Sequence, residues 1–167
     1  MGFLSGLFGG NQQDKALREA LGHIMKILED EEFQLDLLPP SMKEMLKNCP
    51  AYDKDPNGTG PFGFSEKNPI PVNGSIGQLA YLSKLETNKG ERILFHRIGA
   101  VNTIDVFEAV TFSGSEWFIL FTDLYHPRRS RATPDGFQFM SGVPQISGFH
   151  KFCENFPYDF FVKKASE

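Results

Sequence analysis

The residues best suited to chemistry are gathered in Tyr125-His126-Pro127-Arg128-Arg129-Ser130-Arg131, the densest run of positive charge in the chain. Each guanidinium offers a rigid fork of donors that matches a phosphate or a carboxylate. His126 carries a ring that changes charge near neutral pH and can serve as acid, base or ligand. Pro127 stiffens the backbone just after an apolar run, so the loop has little freedom to lose on binding. Tyr125, His126, Arg128, Arg129 and Arg131 are therefore the candidate ligand-binding residues, for an anionic small molecule or an acidic protein surface. The plainer reading is a solvated turn whose arginines pair with Asp123, Asp135 or the acids that end the first helix. On either reading the three arginines are expected at the surface, where replacing them costs the fold little.

His96 and Asp123 are secondary candidates. Strand alternation puts Phe95 and Arg97 on one side of their run and His96 on the other. Brought beside His126 and Asp123 or Glu116, His96 would complete an acid/base or metal site. A histidine inside a strand is otherwise a hydrogen-bonded core residue.

Asp53-Lys54-Asp55-Pro56-Asn57-Gly58 resembles the first half of an EF-hand calcium loop, with oxygens at positions 1, 3 and 5 and glycine at 6. The twelfth position, which needs a bidentate carboxylate, is Phe64, so a turn is expected here and no calcium. No Walker loop, dinucleotide fingerprint, GxSxG or HExxH occurs. Cys49 and Cys153 lie far apart and outside any zinc spacing, so no metal and no cofactor is expected, and both thiols are expected reduced.

A chain of 167 residues with net charge −4 and pI near 5.6 suits one domain and excludes nucleic-acid binding by the whole surface. No apolar run approaches the length of a membrane span, and the first residues lack the basic region of a secretory signal. The expected location is the cytoplasm. Seventeen phenylalanines against one tryptophan point to an aromatic core.

The elements that must hold these residues follow from periodicity. Residues 1–10, MGFLSGLFGG, form an apolar, glycine-rich tail, expected to be flexible and dispensable for folding; 11–167 form the single domain. If the tail turned helical, Phe3, Leu4, Leu7 and Phe8 would share a face able to meet a membrane. Leu17, Leu21, Ile24 and Leu28 predict a helix over 12–33 with one core-facing stripe, fraying in the acidic run 29–32. Ser41 and Glu44 predict a capping box starting a helix that buries Met42, Met45 and Leu46. Residues 50–75 are a long connection packed onto the sheet by Phe62, Phe64, Ile70 and Val72. Leu79–Leu85 and Arg92–Ile98 predict a hairpin, with a short helix over 77–85 as the lesser alternative. Residues 104–112 and 116–125 predict a second hairpin, whose apolar run from Trp117 to Leu124 suits a strand covered on both faces. A short strand at 137–140 and a helix over 146–156 complete the list, the latter with Phe149, Phe152, Cys153 and Phe156 on one side.

The fold class is α+β: N-terminal helices, then an antiparallel β-meander of four or five strands, then a C-terminal helix or aromatic tail. The functional expectation is a small soluble binding or interaction module, with the cationic loop at 125–131 as an anion-binding loop. One alternative is a hydrolase-type enzyme acting on a phosphorylated small molecule through His96 and His126. The other is a membrane-surface accessory protein tethered by residues 1–8.

Overall fold

The computed structural model describes residues 9–142 and 144–160, with side chains from residue 12 onward. The membrane-contact residues Phe3, Leu4, Leu7 and Phe8 lie outside the described residues, and the segment read as tail gives way to helix at Gly9. Helix α1 (Gly9–Glu29) stops at Asp30, whose carboxylate accepts the Phe33 N–H at 3.0 Å and so caps α2 (Glu31–Asp36). The acidic run therefore opens a second helix, where its charge suits the dipole, instead of fraying the first. Only the last turn of α1 is core. Leu28 is buried, while Leu17, Leu21 and Ile24 are about half exposed, so the predicted stripe meets the body at one end alone.

Helix α3 (Pro40–Lys47) starts on Pro40 and has no side-chain cap. Proline fixes the helical φ at the first position, so the helix begins before Ser41 and the capping box does not form. Leu46 is buried, but Met42 and Met45 remain largely in solvent.

Two short strands, β1 (Ile70–Pro71) and β7 (Gly148–Phe149), flank the meander of β3 (Ile93–Val101), β4 (Ile104–Thr111) and β5 (Trp117–Asp123). The sheet order is β1-β5-β4-β3-β7, antiparallel in the centre and parallel at both margins. Strands β2 (Leu85–Thr87) and β6 (Phe137–Phe139) pair separately as an antiparallel ribbon. With the helices, this is an α+β fold.

The segment predicted mainly as a strand, Leu79–Leu85, is helical: α4 spans Gly74–Lys84. It buries Gly77, Gln78, Ala80, Tyr81, Leu82 and Ser83, most of its circumference. A helix enclosed on several sides carries no amphipathic period, which is why its type was not legible. At its start the Asn73 amide donates to Gln34 Oε1 at 2.9 Å, and the Gln34 amide donates to the Ile27 carbonyl at 2.7 Å. Gly77 makes room for this chain, since a methyl there would overlap the Asn73 side chain.

Phe62, Ile70 and Val72 of the long connection are buried, with Phe64 against them, as expected. They close the core with Tyr81, Leu82, Phe95, Phe107, Ala109, Leu120 and Phe137. The strand covered on both faces is β4, where Phe107, Ala109 and Val110 are all inaccessible. Strand β5 is not: Trp117 and Ile119 are exposed. It lies towards the margin, and β1 reaches only its last two residues. The predicted helix over 146–156 is absent. Gly148 instead lies flat on the Phe95 ring as part of β7, and Phe156 crosses the outer sheet face to stack on His96 at 4.1 Å between centroids. A 3-10 turn follows at Tyr158–Phe160.

Candidate functional site

The loop after β5 is tied from two sides. On one side lies the connection around residue 53. Arg128 Nη1 donates to Asp53 Oδ1 at 2.6 Å, and the Arg131 N–H donates to the same oxygen at 2.7 Å. The Ser130 hydroxyl donates to the Asp53 carbonyl at 2.7 Å, and the Ser130 N–H to the Pro71 carbonyl at 2.8 Å. The hydrogen bond from Arg128, joined by that from the Arg131 backbone, holds the Asp53 carboxyl below the usual carboxylate range. Within the stretch that resembles a calcium loop, Asp53 Oδ1 is thus taken up by two donors of the fold. Asp55 accepts the Asn57 N–H at 2.8 Å in a local turn. Among the described residues no group of three or more His, Cys, Asp or Glu is placed to hold a metal.

On the other side lies the junction of α1 and α2. Arg129 is 8% exposed, against the expectation that all three arginines sit at the surface. Its guanidinium donates to the Leu28 carbonyl at 2.8 Å and the Glu29 carbonyl at 3.3 Å, which are free C=O groups at the end of α1. It also meets Glu31 Oε1 at 3.4 Å, and its backbone N–H donates to the same oxygen at 3.2 Å. Arg129 is thus a C-terminal cap supplied from a distant loop. The helix-end acids do serve as partners, through Glu31, whereas Asp123 and Asp135 pair with none of the three. Arg131 alone projects: its side chain is 67% exposed and meets Glu31 Oε2 at 3.5 Å.

Tyr125 is partly exposed and starts the loop, its N–H donating to Asp123 Oδ1 at 3.1 Å. His126 is buried. Its Nε2 lies 3.1 Å from Asp123 Oδ2, its Nδ1 lies 3.0 Å from the Pro50 carbonyl, and the Tyr52 ring meets it edge-on. Burial alone would raise the Asp123 carboxyl, but the hydrogen bonds from His126 and the Tyr125 N–H outweigh it and hold the group low.

His96 is also buried. Its Nδ1 accepts the Cys153 N–H at 3.0 Å, so its Nε2 carries the proton that faces Glu108 Oε2 at 3.0 Å. Phe156 stacks on its face. The polar partners of His96 (Glu108, Cys153) and those of His126 (Asp123, Pro50) have no residue in common. Both His96 ring nitrogens are hydrogen-bonded, so acid or base work there first requires breaking a hydrogen bond, whereas both His126 nitrogens face acceptors, of which a neutral ring with its single N–H satisfies one. Cys49 and Cys153 are both free thiols. Burial pushes the Cys153 thiol up, away from the reactive thiolate.

Beside Arg131 opens a cleft of about 270 Å³, lined by Glu31, Tyr81, Lys84, Arg129, Ser130, Arg131, Phe139 and Met140. Lys84 pairs with Glu29, which lies outside that lining. The Tyr81 hydroxyl donates to the Ala132 carbonyl, and burial drives its pKa far up. The lining mixes apolar groups, Phe139 and Met140, with cationic ones. Sequence reasoning found Arg129 and Arg131 but not Lys84, Tyr81, Phe139 or Met140, which reach the cleft from α4 and the β2–β6 ribbon. A second polar group, also unforeseen, joins α4 to the sheet. The Gln78 amide donates to Asp105 Oδ2 at 3.1 Å and to Thr122, while Arg97 holds the other Asp105 oxygen at 2.8 Å.

No protein-family model, curated relative or solved structure matches the chain. Among the described residues no helix is long and apolar enough to cross a membrane.

Proposed function

We propose that this protein is a small binding module that takes a compact anionic ligand in the cleft beside Arg131. The supporting observation is that Arg131, in the lining of that cleft, keeps most of its side chain in solvent, while Arg128 and Arg129 are spent on the fold. Of the cations in the lining, Lys84 is paired with Glu29 and Arg129 is buried against Glu31, which leaves Arg131 as the one whose side chain stands largely in solvent. At about 270 Å³ the space falls just below the roughly 300–1,000 Å³ of pockets for drug-sized molecules. The ligand is accordingly a phosphate or carboxylate bearing a small apolar body, set against Phe139 and Met140. An Asp or Glu side chain of a partner protein carries the same group and meets the same donors.

Calorimetric titration with phenyl phosphate and inorganic phosphate tests this. Phenyl phosphate should bind more tightly than phosphate, and less tightly as salt is added. Arg131→Ala should weaken it about tenfold, the cost of one charge-assisted contact, with an unchanged thermal transition. No binding at millimolar ligand, or equal binding by the variant, would show the reading to be wrong.

A further inference from the structure

A second cleft, of about 430 Å³, lies on the opposite side of the sheet between the β4–β5 turn and the C-terminal segment. We propose that it receives a proline-rich segment of a partner protein in the polyproline II conformation. Trp117, 51% exposed, and Tyr158, 70% exposed, form its aromatic walls, with Leu94 and Pro157 beneath and Phe112 at one end. Large aromatics left in water beside one another mark a binding surface. These are also held in place. Trp117 stands edge-on to Phe156 at 6.0 Å, the Arg92 guanidinium covers the Phe112 ring at 5.0 Å, and Tyr158 sits on a 3-10 turn closed by the Phe160 N–H to the Pro157 carbonyl. A wall already ordered loses little on binding.

The choice of occupant follows from charge and hydrogen-bonding chemistry. No lining residue is charged at neutral pH, so an uncharged segment is the complement. A proline segment has carbonyls that need donors and almost no N–H groups that need acceptors. Among the described residues the Trp117 indole N–H and the Tyr158 hydroxyl donate to no other group, and both stand on the walls. Proline rings fill aromatic-lined grooves, and the preformed helix brings a low ordering cost. A sugar fits less well. Thr111, Ser113 and Ser115 satisfy one another's hydroxyls at 2.8–3.3 Å, and no amide, carboxylate or guanidinium lines the cleft to grip paired hydroxyls.

Trp117 is the single tryptophan, so its fluorescence reports this cleft directly. The full chain is titrated with an oligoproline of about ten residues, long enough for a few polyproline II turns. A Gly–Ser peptide of the same length and a cello-oligosaccharide serve as comparisons. The expected result is saturable emission at shorter wavelength, with acrylamide quenching falling about twofold or more as the indole is covered, for oligoproline alone. Tyr158→Ala should abolish the change while leaving the thermal transition where it was. Trp117→Phe, followed by calorimetry, should weaken binding by removing the donor while keeping a ring. No spectral change with oligoproline, an equal change with the Gly–Ser peptide, a response to the sugar alone, or undiminished binding by Tyr158→Ala would each overturn the proposal.

Discussion

Arg129→Ala should destabilise the protein far more than Arg131→Ala, although the two lie in one loop and face the same Glu31. The Arg129 guanidinium is buried and holds two carbonyls at the end of α1 as well as Glu31. Removing one partner of a buried pair costs about 3–5 kcal/mol when the other charge is stranded. Here the Glu31 side chain is 24% exposed and keeps some solvent, which reduces that figure. Set against this, the loss of a cation from a helix C-terminus adds up to about 2 kcal/mol in a partly buried setting. About 2–4 kcal/mol is therefore expected. At roughly 2–4 °C per kcal/mol for a domain of this size, the midpoint should fall by about 4–16 °C. Arg131→Ala removes one long contact from a solvated side chain and should cost less than about 0.5 kcal/mol. Urea unfolding followed by circular dichroism gives both values. If Arg129→Ala lies within error of Arg131→Ala, the cap across the loop contributes nothing and the account of how α1 is fastened fails.

Two further expectations concern the same framework. Asp53 and Asp123 are held below their ordinary range in the folded state, so the unfolded chain binds their protons more tightly. Their contribution is complete above the unfolded value of about 3.9 and is lost as pH falls through the lower folded values. Asp53→Asn should flatten the acid limb of a stability–pH profile, and an unaltered limb would contradict the assignment. Gly148→Ala should cost about 1–3 kcal/mol by driving a methyl into the Phe95 ring, measurable as a drop in urea midpoint at unchanged slope; a neutral variant would show that β7 does not lie flat on Phe95.

The hairpin of β4 and β5 was legible because alternation over Ile104–Phe112 is local and the turn Ser113-Gly114-Ser115 sits between matched runs. The packed connection was legible from Phe62, Ile70 and Val72 in a stretch otherwise rich in proline and glycine. Helix α4 was not, because burial on most sides erased its period. The aromatic spacing at 149–156 mimicked a helix face, yet Phe149 sits in β7, and Phe152 and Phe156 are carried by irregular chain and a turn, from which Phe156 stacks on His96. Least legible were the partners of the arginines. Asp53 lies 75 residues from Arg128, and Glu31 lies 98 residues from Arg129. Charge density in one segment says nothing about which distant acid the fold brings to it, so buried ties and a solvent-exposed arginine looked alike.

The parallel strands at the two margins of the sheet bear on how the chain folds and stays apart from its copies. The central meander is built from neighbours in sequence and can form early, since closing short loops loses little entropy. Its margins are closed from far away: Ile70 meets Thr122, and Gly148 meets Phe95, each across about fifty residues. Until those latches arrive, β3 and β5 display unpaired edges, the usual template for edge-to-edge aggregation. Each latch is two residues long, so it shields its strand without extending it, and the remaining open stretch of β5 is the part that carries Trp117 and Ile119. A chain that lacks residues beyond 146 would therefore hold a formed meander with the β3 side unguarded.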